Sequence, residues 1–166
     1  MKILLVLSVV LCLGACGKPV DPKLAFQEGD YETSLKLWLP RAIAGDKEAQ
    51  DYVGIQYYLG LGVRRDYKEA LKWFAPAAEA GYPDAQRNYG DMYENGHGVT
   101  QDYYQAFIWY FAAAQQGHAS AKLALANITD DNKLTPNQQM HAKLQANKYI
   151  PDTAEQFQSH DTYIEK

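Results

Sequence analysis

Apolar side chains recur every three or four residues along much of the chain, which is the spacing of one face of an α-helix. The clearest stripe consists of Ala70, Trp73, Phe74, Ala77 and Ala78. Large aromatic rings alternate with alanine in this stripe, so a neighbouring helix can approach closely while the rings fill the gaps between backbones. The pattern predicts amphipathic helices that pack against one another in pairs, and therefore an all-α fold.

The helical pattern itself repeats with a period of 36 residues. Residues 49–84 and 85–120 align without a gap, and 14 of the 36 aligned positions are identical. A Gly-x-Gly-Val loop divides each copy into two helices, at Gly60 in the first copy and at Gly96 in the second. Glycine permits the positive φ that ends a helix and reverses the chain. A repeat of this length is typical of a helical solenoid.

Each second helix is predicted to begin at an aspartate. Asp66 and Asp102 precede the apolar stripes, and Glu69 and Gln105 follow them by three residues. This spacing predicts a capping box, in which the aspartate side chain accepts from the helix backbone and the later side chain accepts from the aspartate N–H.

The period extends beyond the two full units. Residues 24–48 align with part of a unit, mostly its second helix, and predict a partial leading repeat. Residues 121–150 start like a first helix, and Thr135-Pro136 with Gln138 then opens a more polar last helix, as expected of a capping pair. The sequence thus predicts a short right-handed α-solenoid of helix-turn-helix repeats, with repeat 1 at 49–84 and repeat 2 at 85–120.

The order of residues at the amino terminus predicts an export signal. Lys2 is followed by an apolar stretch from Ile3 to Leu13 and then by Gly14-Ala15-Cys16. This order resembles a bacterial lipoprotein signal, so residues 1–15 are predicted to be removed and the thiol of Cys16 to be acylated. The alternatives are an ordinary signal peptide and a membrane-spanning helix, although spanning a bilayer takes about 20 apolar residues.

Short polar segments flank the predicted array. Residues 16–23 contain two prolines and are predicted to be a tether, and residues 151–166 a polar tail. Gly17 follows the predicted lipidation site, where an aspartate would resemble a signal for retention in the inner membrane. The predicted location is therefore the periplasmic side of the outer membrane.

The charge of the chain argues against a nucleic-acid partner, and its cysteine content argues against disulfide bonds. The chain has 16 basic and 20 acidic side chains, a net charge of −4, and cleavage before Cys16 would remove Lys2 and leave −5. Since binding to nucleic acid needs a basic patch, a nucleic-acid partner is not predicted. Cys12 would leave with the signal and Cys16 would be acylated, so no disulfide is expected in the mature protein.

The second unit resembles the Sel-1-like repeat, a relative of the tetratricopeptide repeat, in Tyr89-Gly90, Tyr93, Gly96-x-Gly98-Val99, Asp102-Tyr103, Ala106, Trp109-Tyr110, Ala113-Ala114 and Gly117. The first unit matches nearly as well, with Val53 where the family prefers leucine. The resemblance implies a Sel-1-like repeat lipoprotein of a Gram-negative bacterium. It also implies a non-catalytic adaptor that binds protein partners on the concave wall formed by its first helices.

Tetratricopeptide geometry would place one residue set on this wall. The residues predicted to contact a protein partner are Asp51, Ile55, Tyr58, Arg87, Asp91, Glu94 and Asn127. Ile55, Tyr58 and the neighbouring Leu59 have an alternative role, which is packing against the partial leading repeat.

No motif predicts catalysis, a cofactor or a metal site. The Gly-x-Gly pairs lack the third glycine of a phosphate-binding loop, and no G-x-S-x-G sequence is present. The four histidines are about twenty residues apart without an i, i+4 pair, so they are predicted to lie in loops or on the surface as His97, His118, His141 and His160.

Two functions remain open at this point. The first is a membrane-anchored, non-catalytic interaction module for periplasmic or envelope proteins. The alternative is an immunity protein that neutralises a secreted antibacterial toxin such as a lipase or wall hydrolase, since small lipidated Sel-1-like repeat proteins resemble the partners encoded beside such effectors.

Overall fold

The computed structural model describes residues 20–151, and over that range it contains eight α-helices and one 3₁₀ turn. The helices are α1 (Pro22–Gln27), α2 (Tyr31–Ile43), α3 (Lys47–Leu59), α4 (Tyr67–Glu79), α5 (Pro83–Asn95), α6 (Tyr103–Gln115), α7 (Ala119–Asp130) and α8 (Pro136–Ala146), and the 3₁₀ turn is Asn147–Tyr149. The predicted signal peptide, Cys16 and nearly all of the predicted tail lie outside the described residues.

Consecutive helices pack against one another in sequence order from α1 to α7, and α8 packs on α6. The first helices α3 and α5 of the two full units are also in contact. This arrangement confirms the predicted all-α solenoid of paired helices. Within residues 20–151, no helix is both long and apolar enough to cross a membrane.

The helix starts differ from the predicted unit boundaries by a few residues. α3 begins at Lys47 because the Asp46 side chain caps it, and α5 begins at Pro83, so both units start two residues before the predicted positions. α1 begins at Pro22 after the cap Asp21, inside the segment 16–23 predicted as a tether. The sequence Asp21-Pro22 explains this start, because a cap followed by proline at the first helical position favours a helix. The leading unit therefore has both helices, with a short first one.

The predicted capping boxes form only in part. The Asp66 side chain accepts from the backbone N–H of Glu69 at 3.0 Å, but its own N–H donates to the Tyr57 carbonyl at 2.9 Å. The same two bonds form at Asp102, whose N–H donates to the Tyr93 carbonyl. The prediction of a reciprocal bond to the side chain three residues later is therefore wrong for both sites. The loop folds back onto the first helix of its own unit, and a carbonyl of that helix accepts the N–H instead. The box at Thr135 and Gln138 is complete.

The core consists of three apolar clusters, each formed where successive helix pairs meet. Trp109 is 3% exposed in the middle cluster, whereas Trp73 is only half-buried beside the first one. A Cβ added to Gly54 would lie 2.6 Å from the ring of Phe74, and one added to Gly90 would lie 2.8 Å from the ring of Tyr110. These glycines let an aromatic ring lie directly on the backbone of the first helix.

The chain after α8 returns to the repeats instead of ending at the last helix pair. The Tyr149 ring packs on Trp109 with 4.2 Å between ring centroids, and the Gln86 side-chain amide donates to the Tyr149 carbonyl at 2.8 Å. Pro151 lies so close to Gly81 that a Cβ there would be 2.7 Å from the proline Cγ. This segment therefore covers the junction between α4 and α5.

The second glycine of each Gly-x-Gly loop packs directly on the preceding unit. A Cβ added to Gly62, at φ +67°, would lie 2.6 Å from the carbonyl carbon of Tyr31, the first residue of α2. A Cβ added to Gly98, at φ +76°, would lie 2.8 Å from the carbonyl oxygen of Tyr67, the first residue of α4. Because backbone meets backbone at both places, only glycine allows the units to approach this closely.

Replacement of Gly98 by alanine is expected to destabilise the protein more than the same change at Gly117. Gly117 has φ +91° and nothing within 4 Å of its added Cβ, so Gly117→Ala should cost only the left-handed backbone strain of about 1–2 kcal/mol. Gly98→Ala should add an overpacking cost of about 1–3 kcal/mol. Urea unfolding followed by circular dichroism measures both, and equal losses would contradict the backbone contact.

Candidate functional site

A groove of about 720 Å³ runs across the first helices of successive units. Its lining comes from α1, α3, α5 and α7 and from the residues that precede α5 and α7. The lining residues are Phe26, Glu48, Asp51, Tyr52, Ile55, Leu59, Tyr82, Asp84, Arg87, Asn88, His118 and Ser120.

A smaller cavity of about 240 Å³ adjoins this groove between α3, α4 and α5. We call it the side pocket, and its lining is Ile55, Tyr58, Leu59, Phe74, Arg87, Asn88 and Asp91. Four of these residues also line the groove, so the two spaces share one wall.

The structure brings together five of the seven predicted contact residues. They line the groove, the side pocket or both, and they are Asp51, Ile55, Tyr58, Arg87 and Asp91. Their predicted helical spacing places them on the facing sides of α3 and α5, which are in contact. That they bind a protein partner stays a prediction.

The other two predicted residues line neither cavity. Glu94 accepts a hydrogen bond of 2.6 Å from the Tyr110 hydroxyl and so links α5 to α6. Asn127 is exposed on α7, away from the residues that line the groove. These two residues are therefore not part of the candidate site.

Tyr58 is held in a polar and aromatic cluster instead of packing against the leading repeat. Its hydroxyl donates to Asp91 Oδ2 at 3.0 Å and lies 3.0 Å from His97 Nδ1, from which it accepts. His97 lies in a loop, as predicted, but its ring stacks on Tyr67 with 4.4 Å between centroids and is half-buried. Burial first, and then the Asp91 carboxylate, raises the pKa of Tyr58 to about 12. Ile55 packs on the apolar cluster of α4 to α6.

Hydrogen bonds tie the groove walls of α3 and α5 together. The Asn88 amide donates to Asp51 Oδ1 at 2.9 Å, and Arg87 Nη1 donates to Asn88 Oδ1 at 3.1 Å. Arg87 Nη2 lies 3.6 Å from Asp91 Oδ1. The Nε atom of Arg87 is buried and has no hydrogen-bond partner within residues 20–151. This network fixes the amide and guanidinium groups that face the groove.

Most carboxylates around the groove have a basic partner. Glu48 pairs with Lys23, Asp84 Oδ1 lies 3.0 Å from His118 Nε2, and Asp91 faces Arg87. Asp51 differs, because its hydrogen-bond partner is the neutral Asn88 and it is 4% exposed. Burial raises the pKa of Asp51 to about 7 and the nearby Asp84 and Glu48 raise it further, whereas the Asn88 hydrogen bond and the charge of Arg87 lower it.

Several groove residues were not predicted from the sequence. Glu48 lies three residues before Asp51, and Asp84 is its equivalent one repeat later, so the helical period could have identified both. The helical period does not identify His118 as a groove residue. Its Nδ1 accepts from the N–H of Ala121 to cap α7 while Nε2 faces Asp84, and this pairing depends on tertiary structure.

The groove combines aromatic and aliphatic side chains with carboxylate, amide and guanidinium groups. Among the residues that the structure describes, no three or more His, Cys, Asp or Glu side chains are grouped so as to hold a metal ion.

The stacked helix pairs and the groove along their first helices define the class of the protein, a helical repeat protein of the solenoid type. Residues 47–82 and 83–118 each match the family model of the Sel1 repeat. The two matches begin where α3 and α5 begin. The chain therefore contains two Sel1 repeats, and the predicted resemblance to this repeat is confirmed.

Two solved structures are similar over most of the described chain. One is c5321, a protective antigen present in uropathogenic Escherichia coli strains that displays an SLR fold, with 30% identity, a TM-score of 0.72, and coverage of 87% of this chain and 32% of that one. The other is a Sel1 repeat protein from Oxalobacter formigenes, with 27% identity and a TM-score of 0.64. The match covers 75% of this chain and 54% of that one. The chain thus spans only about a third and a half of these proteins. A search of curated proteins gave no match.

Replacement of Asp51 by asparagine is expected to change how stability depends on pH. The native pKa of about 7 lies above the value of 3.8 for a free aspartate, so the folded state binds more protons between these values. The free energy of unfolding of the wild type should therefore fall as pH rises from about 4 to about 7. Asp51→Asn should lack this loss and gain on the order of 2–4 kcal/mol relative to the wild type by pH 8.

Urea unfolding at pH 4, 6 and 8 measures this difference. Leu123→Asn, an exposed position on α7, is the control and should track the wild type at each pH. A constant offset between Asp51→Asn and the wild type would contradict the raised pKa.

Proposed function

We propose that this protein is a non-catalytic interaction module that binds a segment of a partner polypeptide in the groove formed by α1, α3, α5 and α7. The observation that supports this most directly is the continuous lining of the groove by aromatic, aliphatic and charged side chains from four helices. Sel1 repeats generally mediate protein–protein interaction, and both repeats of this chain contribute to the groove.

We further propose that the module is anchored by acyl chains on Cys16 at the periplasmic side of the outer membrane. The order of residues 1–17 supports this location. Since α1 begins at Pro22, the chain from Cys16 to the first helix spans at most about 20 Å. Such a short tether would hold the groove close to the membrane surface, where its partners would be envelope or periplasmic proteins.

An immunity protein against a secreted toxin is the second candidate. The net charge of −4 favours it, because an acidic surface complements a basic toxin and speeds encounter by electrostatic steering. A membrane tether would also raise the local concentration of the inhibitor where a lipase acts. The identity of the captured partner separates the two functions.

Crosslinking in the native envelope, followed by pull-down, tests the interaction. Leu59 is 55% exposed and lines both the groove and the side pocket, so Leu59→Asp should abolish capture of the partner without unfolding the protein. Leu123, which is 69% exposed on α7 and lines neither cavity, provides the matched control Leu123→Asp. The purified partner should bind the wild type and the control but not Leu59→Asp.

The same experiment distinguishes the candidates. An envelope component supports the adaptor, and a secreted hydrolase encoded beside this gene supports the immunity protein. Equal capture by Leu59→Asp and the wild type, or no protein above background, would reject the groove as the binding site.

Replacement of Cys16 by serine should move the protein from the membrane fraction to the soluble periplasm, because the acyl chains would have no thiol to occupy. Cys12→Ser is the control, since residue 12 lies in the predicted signal peptide and should not affect the anchor. Cell fractionation with a fatty-acid analogue label measures both. A Cys16→Ser protein that stays in the membrane, or a wild type that is never labelled, would contradict the anchor.

A further inference from the structure

The side pocket exists where the first repeat departs from the second. Ile55, Leu59 and Phe74 form its apolar lining. One period later, the second repeat has polar residues at the equivalent positions, Asp91, Asn95 and Tyr110.

A hydrogen bond accounts for part of this difference. In the second repeat, the Tyr110 hydroxyl donates to Glu94 at 2.6 Å and joins the second helix to the first. In the first repeat, Phe74 has no hydroxyl, and Tyr58, the equivalent of Glu94, is turned toward Asp91. No such bridge forms between Phe74 and Tyr58, and the side pocket of about 240 Å³ lies between them.

Phe74 belongs to the core, but the exposed part of this lining is not explained by folding alone. Leu59 remains 55% exposed and Ile55 is half-buried beside open space. Exposed apolar surface that lines a concave pocket is the usual place for a side chain of a partner.

A basic partner residue is indicated beside this pocket. Within the described residues, the groove carboxylates Glu48 and Asp84 and the side-pocket carboxylate Asp91 each face a basic side chain of the protein itself. Asp51 has a hydrogen bond only from the neutral Asn88. An added lysine or arginine side chain would therefore complement the one groove carboxylate that lacks a basic partner.

We propose that the groove recognises an extended segment in which an aliphatic residue and a lysine or arginine are separated by one residue. The aliphatic side chain enters the side pocket, and the basic side chain pairs with Asp51. This inference rests on the proposed function and specifies its partner. Asp51 and Ile55 lie one turn apart on α3, about 6 Å along the helix axis. Same-face side chains of an extended chain are two residues and about 6.6 Å apart, which matches this distance.

The protonation state of Asp51 gives the inference a second readout. A basic side chain stabilises the ionised carboxylate, so burial that raises the pKa of Asp51 to about 7 should make the affinity rise between pH 6 and pH 8. The charged and titratable groups that face Asp51 around the groove are Lys23, Glu48, Tyr52, Tyr82, Asp84, Arg87 and His118. Asp51→Asn retains these groups, so comparison with the wild type isolates the contribution of Asp51.

Selection of a random nonapeptide library on the full chain in detergent tests the proposal. Enriched peptides should share an aliphatic and a basic residue two positions apart. For one such peptide, Leu59→Asn, which installs the residue of the second repeat, and Asp51→Asn should each weaken binding about tenfold. Leu123→Asn and Asp130→Asn, both exposed on α7, are the matched controls and should bind like the wild type.

A double-mutant cycle assigns the contact. Changing the basic peptide residue to glutamine should weaken binding to the wild type but not to Asp51→Asn, and the rise in affinity with pH should be lost in both single changes. The proposal is overturned if no peptide is enriched, if the enriched peptides lack the pair or have it four residues apart, or if the two changes act independently. If the crosslinked partner is still lost in Leu59→Asp, the groove function stands and only its specificity has been misassigned.

Discussion

The direct packing of loop backbone on helix backbone sets the spacing of the units, and the groove depends on that spacing. Gly98 lies against the carbonyl of Tyr67, and at the other end of the unit the buried side chain of Gln86 donates to the Ala78 carbonyl at 3.1 Å. Both contacts recur one period earlier. Two fixed points for each pair of units leave little freedom in how the units stack, so α3 and α5 come into contact and their facing side chains form a wall.

Features that depend on one unit alone could be predicted from the sequence. The period, the glycine that ends each first helix and the aspartate that caps each second helix are local, and all are present in the structure. The reciprocal halves of the two capping boxes were predicted but are absent from the structure, because the N–H groups of Asp66 and Asp102 donate to the Tyr57 and Tyr93 carbonyls. A motif of four residues gives no information about a carbonyl from the preceding helix.

Contacts from outside a residue's own helix also limit what the sequence predicts about the groove. The helical period places Asp51 and Ile55 on the groove correctly, because it specifies a face of α3. It also assigns Glu94 to that face, yet the Tyr110 hydroxyl binds this carboxylate and turns it toward α6. The contact between His118 and Asp84 joins the residue that caps α7 to a chemically unlike residue on α5, so no periodicity could indicate it.

The two repeats share small core residues such as Ala70 and Ala106, and they differ in the residues that face the groove. Asp51 lines the groove but is only 4% exposed, and a carboxylate buried to this extent lowers the stability of the free protein near neutral pH. An asparagine at this position could make the same bond to Asn88. Folding alone therefore does not favour an aspartate there. A basic partner residue would recover that stability on binding, since it would favour the ionised form that burial disfavours. In the proposed complex, the destabilising charge would thus provide part of the driving force for association.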